Sequence, residues 1–321
     1  MTRWYAFNGD ADGLCALQQL RLADPARATL VTGVKRDIQL LARVNACAGD
    51  EVTVLDVSLD SNRDALRALL DAGVRVRYFD HHHAGELPLH PHFESHIDTA
   101  ADVCTSLLVD RHLEGRHRAW AITAAFGDSL PKMATALARS NGFDADSTAS
   151  LARLGIALNY NAYGECLSDL HFDPAALAEA MRPFDDPLGF IADSPIFRRL
   201  WAGYEADMAN ARALRPHRQV PGATLLVMPD EPWARRAIGV LANELMQALP
   251  GNAIAIVSPR SSGGYTASVR VPQPASLGAD EFCRQFASGG GRRGAGGVNE
   301  LPASELERFA GRFEACFARL M

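Results

Sequence analysis

No stretch of this 321-residue chain approaches the roughly 18 uninterrupted apolar residues that a membrane span needs. The opening Met1-Thr2-Arg3-Trp4-Tyr5-Ala6-Phe7 also lacks the long apolar core of a secretory signal. Cysteine is sparse. The six residues at 15, 47, 104, 166, 283 and 316 stand singly, with no C-x-x-C pair and no framework spacing, and read as reduced, mostly buried thiols. Positive charge is not in excess: 32 basic side chains face 38 acidic ones, a net charge of -6. That balance argues against a protein that coats long nucleic acid nonspecifically. An anionic ligand must then be held by a local basic patch or by metal. No internal repeat is present. These absences together lead us to expect a soluble, cytoplasmic protein with no membrane partner.

With 48% apolar residues and a mean hydropathy of -0.07, the chain can bury sizeable cores, and its length suggests two domains. Trp4 to Phe7 reads as a short strand, followed by an acidic turn and a helical pattern in Leu14, Leu17, Leu20 and Leu22. A strand at 30–33, a helix at 38–47 and a strand at 52–57 follow, then a helix at 61–72 and a strand at 74–79. Strands alternating with helices of about a dozen residues imply crossovers and a parallel sheet. From 101 to 125 the pattern is helical. Residues 130–215 look helical and loop-rich, with prolines at 174, 183, 187 and 195, and 195–214 reads as a connecting helix. Strands are expected at 223–228, 253–257 and 265–271, with a helix at 233–249. The resulting division is an N-terminal domain at 1–190, a linker at 191–215 and a smaller α/β domain at 216–321.

Three acidic clusters sit just past predicted strands: Asp10-Ala11-Asp12-Gly13, Asp56 and Asp80-His81-His82. Strand ends of one parallel sheet lie side by side, so these carboxylates should converge on the rim where open α/β sheets place ligands. Asp128, after Gly127, is a fourth candidate. Carboxylates mixed with imidazole favour Mn²⁺ over an all-oxygen calcium cage. Two such ions, about 3.5–4 Å apart, would clamp a transferring phosphoryl group and activate a bridging water. The histidines at 83, 90, 92 and 96 add to His81 and His82; their irregular spacing and the intervening prolines favour a solvated loop over a separate zinc site. Late in the chain, Gly289, Gly290 and Gly291 precede Arg292 and Arg293 within a run of six glycines and two arginines in nine residues. Glycine admits close approach of backbone N–H groups to an anion while arginine supplies a fork of donors.

The order Asn8-Gly9-Asp10-Ala11-Asp12-Gly13, Asp56, Asp80-His81-His82, Gly127-Asp128 and a late triple glycine resembles the DHH phosphoesterase superfamily with its C-terminal DHHA1 domain. That group includes single-strand exonucleases, nanoRNases, cyclic-dinucleotide phosphodiesterases and family II inorganic pyrophosphatases. The likeness spans nearly the whole chain and is weakest over 130–215. It implies a parallel-sheet domain and a smaller α/β domain with a cleft between them. It also implies Asp10 and Asp12 on separate metals, Asp56 bridging, His81 and Asp128 completing the second site, and His82 facing the substrate phosphate. Asp80 is expected in the catalytic group, either touching metal or holding and orienting an imidazole. The glycine segment resembles the family's G-G-G-H-x-x-A-A-G signature, with Arg292 in place of the histidine, and Arg270 resembles another cation of the substrate cleft. Four residues before Asp10 the family carries a histidine ligand; here the position is Ala6, which leaves that site weak, absent or completed by Asn8.

The resemblance leads us to expect a phosphoesterase that uses one or two Mn²⁺ ions, or Mg²⁺, to hydrolyse a small phosphodiester or phosphomonoester by metal-activated water. A short oligonucleotide or nucleotide derivative fits the net charge better than long double-stranded nucleic acid, and a homodimer is compatible with it. Two rivals stand beside this reading. One is a nucleotide- or single-strand-binding protein with an impaired metal site; the other is a hydrolase of pyrophosphate or short polyphosphate.

Overall fold

The structure is a computed structural model, and it describes residues 1–272 and 275–318. The chain divides into two compact units, Met1–Gly203 and Tyr204–Met321.

The first unit opens with β1 (Arg3–Phe7) and α1 (Ala11–Ala23), then β2 (Thr29–Val31), β3 (Glu51–Leu55), α2 (Arg63–Asp71), β4 (Arg75–Asp80) and β5 (Phe93–Ile97). The five strands form one wholly parallel sheet in the order β2-β1-β3-β4-β5. Alternation along each strand feeds two cores. Phe7, Leu55 and Phe79 point into a helical layer, while Ala6, Val54 and Tyr78 pack with Leu66 and Leu70 of α2 on the other face. The helical layer comprises α1, α3 (Thr105–His112), α4 (Arg118–Gly127), α5 (Pro131–Ser140), α6 (Ala145–Asn161), α7 (Pro174–Met181), α8 (Pro187–Asp193) and the start of α9 (Pro195–Arg212).

Two sequence expectations fail here for identifiable reasons. The helix expected at 38–47 is a single 3₁₀ turn, Leu40–Arg43. The Asn62 side chain takes the Leu41 N–H at 3.2 Å and donates to the Ile38 carbonyl, supplying partners that a helical ladder would otherwise provide. The helical stretch expected at 101–125 breaks into α3 and α4, because Glu114 (φ 55°) and Gly115 (φ 78°) adopt left-handed backbone in succession.

The second unit contains β6 (Arg218–Val220), β7 (Ala223–Val227), α10 (Pro232–Ala248), β8 (Ala253–Pro259), β9 (Tyr265–Arg270), α11 (Ala279–Cys283), β10 (Gly289–Arg292), β11 (Ala295–Leu301) and α12 (Leu306–Phe317). Its sheet is mixed, ordered β10-β11-β9-β8-β7-β6, with only β7 and β8 parallel. Leu226, Ile254 and Ile256 meet α10 on one face. Phe282, Phe309 and Phe313 from α11 and α12 fill the other. The glycine segment is therefore not a flexible loop. Gly289 to Arg292 form an edge strand whose hairpin to β11 turns at Arg293-Gly294.

Candidate metal centre

Strands β1, β3 and β4 are neighbours, and the order reverses between β2-β1 and β3-β4-β5, which opens a crevice at the carboxyl ends of β1 and β3. The candidate residues collect there. Asp10 follows β1 and caps α1, its Oδ1 accepting the N–H groups of Asp12 (3.0 Å) and Gly13 (3.2 Å). Asp56 follows β3 with φ 58°, a left-handed conformation costly for a residue with a Cβ, and its N–H donates to the Phe79 carbonyl at 3.1 Å. That turn keeps its carboxylate over the sheet edge. Asp80 ends β4 and is fully buried.

Glycine contacts bring the fourth carboxylate to the same place. A Cβ at Gly155 in α6 would lie 2.1 Å from the Thr123 carbonyl, and one at Gly127 would lie 2.4 Å from Ala11 Cβ. Only bare backbone lets α4 end against the start of α1 and the middle of α6. Asp128, the next residue, thereby arrives beside Asp12.

Hydrogen bonds aim the donors. Both Asp12 oxygens are held at the start of α3, Oδ2 by the Thr105 N–H and Oδ1 by the Ser106 N–H, each at 2.7 Å. Thr105 Oγ1 lies 3.3 Å from Asp56 Oδ1. His81 Nδ1 sits 3.0 Å from the Val103 carbonyl, which fixes the proton on Nδ1 and leaves Nε2 to face Asp56 Oδ1 at 3.4 Å and Asp128 Oδ2 at 3.9 Å. Asp80 Oδ1 accepts the His81 N–H at 2.9 Å and lies 2.7 Å from His82 Nδ1, so Asp80 orients His82 rather than facing the centre. The His82 side chain is 46% exposed.

Two overlapping sets of three residues each offer donor atoms within 4.8 Å of one another: Asp12, His81 and Asp128, and Asp56, His81 and His82. Sharing His81, they outline one centre. Its electrostatics call for a cation. Burial and the charges of Asp10 and Asp12 push the Asp56 carboxyl well above its ordinary value. Burial, with Asp12 and Asp10, raises Asp128 to about 7 against the opposing pull of His81 and Lys35. Burial lowers His81, but Asp56, Asp12 and Asp128 outweigh it and raise the imidazole to about 10. Carboxylates and an imidazole that must share protons to coexist are a donor set suited to a divalent ion, and among the described residues the buried Asp80 Oδ2 has no hydrogen-bond partner.

Sequence reasoning missed several contributors. Lys35, from the loop after β2, pairs with Asp10 Oδ2 and donates to Asn159 Oδ1 at 3.1 Å. The backbone of Thr105 and Ser106 carries no side-chain signature and was invisible, whereas Lys35 is one of only two lysines in the chain, a signal that composition does hold. Asn8, expected to complete a metal site, uses its Oδ1 on the Asp10 N–H at 3.3 Å. Ala6 is fully buried in the sheet layer facing α2.

The second unit places Arg270, Ala295 and Arg292 in one cross-strand row over β9, β11 and β10, and Ser268, Gly297 and Gly290 in the next row of the same face. The opposite face is filled by α11: a Cβ at Gly289 would meet the Cys283 carbonyl at 1.8 Å, whereas one at Gly290 meets nothing. Arg270 Nη1 donates to Ser268 Oγ at 3.1 Å, Arg292 is exposed, and Arg293, in the turn, donates to the Ala275 carbonyl at 2.7 Å. The result is a glycine-paved surface bearing two guanidinium groups.

One further donor group, Glu94, His96 and His112, lies along β5 and α3. Burial, His96 and Arg77 all lower His112, and two of the three residues are exposed, so neighbouring positive charge works against a cation there. Among the described residues, no helix is long and apolar enough to cross a membrane.

No family model and no curated protein matches the chain by sequence. Solved structures do match by fold. The manganese-bound exonuclease RecJ superposes with a TM-score of 0.66 at 19% identity, covering 100% of this chain and 91% of that one. The manganese complex of RecJ from Thermus thermophilus gives 0.63 at 20% identity, with 98% of this chain matched to only 51% of that longer one. PggH of Vibrio cholerae, a pGpG-specific phosphodiesterase, gives 0.58 at 15% identity over 98% of this chain and 100% of that one. The chain shares the fold of these proteins, and in it a five-stranded parallel sheet is followed in sequence by a separate mixed sheet.

Proposed function

We propose that this protein is a metal-dependent phosphoesterase acting on a short phosphodiester of about dinucleotide size. The observation that carries the reading is the convergence of Asp12, Asp56, His81 and Asp128 at the switch point of the parallel sheet, with His81 Nε2 directed by the Val103 carbonyl toward the two carboxylates. These four residues fit a divalent ion such as Mn²⁺ or Mg²⁺. When bound, the ion supplies Lewis acidity toward a phosphoryl oxygen and a lowered pKa for water. The chain's own residues do the rest. The Thr105 and Ser106 N–H groups hold both Asp12 oxygens in place. His82, held at Nδ1 by Asp80, presents Nε2 to a non-bridging phosphoryl oxygen, where charge grows in the transition state.

Fold-level likeness to manganese-bound RecJ and to a pGpG-specific phosphodiesterase supports the reaction class. The row of Arg270 and Arg292 suits a terminal phosphate, which guanidinium groups grip bidentately. The test is hydrolysis of bis(p-nitrophenyl) phosphate, a 5′-phosphorylated dinucleotide and pyrophosphate with and without Mn²⁺, comparing the intact chain with Asp56→Asn. The expected result is Mn²⁺-dependent turnover of the two diesters, lost in the variant. Turnover of pyrophosphate alone would move the substrate to phosphoanhydrides, and dinucleotide binding without turnover would leave a binding protein.

A further inference from the structure

The loop after β2 inserts a fixed cation into this centre. Asp10 is 2% exposed, and its Oδ2 is taken by the Lys35 ammonium while Oδ1 caps α1. Lys35 is itself placed by three contacts: its backbone N–H donates to the Ala162 carbonyl at 2.9 Å, its Nζ donates to Asn159 Oδ1 at 3.1 Å, and the Tyr163 ring lies 5.7 Å from Nζ. The loop is pressed onto the turn between β1 and α1, since a Cβ at Gly9 would lie 2.2 Å from the Gly33 carbonyl. Neither group of close donors includes Asp10. Ala6, on the strand leading to it, offers no donor.

Residue choice points the same way. Of 32 basic residues, only Lys35 and Lys132 are lysine. A compact ammonium on a flexible stem fits a space suited to a small cation, where a planar guanidinium does not.

We infer that Lys35 replaces a second metal ion: this centre takes one divalent ion per chain, held by Asp12, Asp56, His81 and Asp128, and the Lys35 ammonium occupies the cation position against Asp10. The inference rests on the phosphoesterase reading only in requiring that the first ion bind. It makes Lys35 a positioning residue, which neutralises Asp10 permanently and repels a second dication from it.

Metal stoichiometry tests this without reference to turnover. The full chain, stripped with chelator and shown folded by circular dichroism, is titrated with Mn²⁺ by calorimetry, and the bound ion is examined by electron paramagnetic resonance. The expected result is one equivalent with the six-line signal of an isolated Mn²⁺, retained in Asp10→Asn. Lys35→Ala, which frees Asp10, is expected to take up a second equivalent and show the exchange coupling of paired ions. Two coupled ions in the intact chain, loss of the single equivalent in Asp10→Asn, or an unchanged single equivalent in a folded Lys35→Ala would each overturn the role of Lys35. Failure of the intact, folded chain to bind any Mn²⁺ at millimolar concentration would instead overturn the metal centre itself.

Discussion

At Asp80 one carboxylate oxygen serves two histidines, the His81 N–H and the His82 ring, while the other is buried without a partner among the described residues. Replacing Asp80 with Asn halves the acceptor capacity and removes the charge that fixes the His82 ring. Activity is expected to fall about 10- to 100-fold, the usual cost of losing a group that orients a functional imidazole, with Mn²⁺ affinity less affected than in Asp56→Asn. Parallel kcat and calorimetric measurements check this; a variant with unaltered kcat would remove His82 from the reaction.

The titrating groups also dictate how stability changes with pH. Without metal, Asp128 keeps its proton up to about 7 when folded but releases it near 3.8 when unfolded, so its effect is a loss of stability as pH rises through that window. His81, raised to about 10 from 6.5, contributes stability that is complete below 6.5 and disappears as pH climbs to 10. Both groups give the same sign. A divalent ion replaces those protons, so thermal melts at pH 6, 7 and 8 should show a metal-free Tm that falls with pH and a Mn²⁺-induced increase in Tm that grows with it. A Mn²⁺ effect that shrinks toward pH 8 would contradict this proton competition.

At the level of elements, glycine contacts decide where Asp128 lies. Gly155→Ala puts a methyl group 2.1 Å from the Thr123 carbonyl and is expected to cost about 2–4 kcal/mol by urea denaturation, the range of overpacking and backbone displacement. In the second unit, Gly290→Ala faces open space and should cost under about 1 kcal/mol, whereas Gly289→Ala, 1.8 Å from the Cys283 carbonyl, should be the more damaging of the two. Equal costs would mean that α11 does not set the glycine pattern.

Much of this was legible in the sequence, for physical reasons that differ by element. Alternating apolar strands ending in Asp56 and Asp80, with D-x-D-G after β1, announced three adjacent strand ends, and the sheet order places β1, β3 and β4 side by side. Strands β7, β8 and β9 and helix α10 fall within a residue or two of their expected bounds because each is a strongly patterned run. The strand in the glycine-arginine segment was not legible, since a strand built of glycine has no side-chain alternation to read, and its pairing depends on α11 and β11. The 38–47 segment misled because Asn62, some twenty residues away, supplies its hydrogen bonds. Lys35 is a tertiary partner of Asp10 across 25 residues, a separation that no local pattern encodes.

For the molecule as a whole, the two units carry complementary chemistry: the first collects carboxylates and imidazoles, and the second displays a cationic row on a glycine surface. Arg292→Ala is expected to weaken binding of a 5′-phosphorylated dinucleotide by about 10- to 150-fold while leaving Mn²⁺ affinity unchanged, since one charge-assisted contact contributes about 1.5–3 kcal/mol. Calorimetry of each ligand separates the two effects, and a loss of Mn²⁺ binding in that variant would count against their independence. The central claim is that the carboxylate and imidazole cluster at the β1–β3 switch point performs phosphoester hydrolysis. Its most direct test is turnover of the dinucleotide as a function of Mn²⁺ by the intact chain and by Asp128→Asn. The account expects saturable, chelator-reversible activity in the first and a loss of at least about 100-fold in the second; metal-independent hydrolysis, or an Asp128→Asn enzyme as active as the intact one, would contradict it.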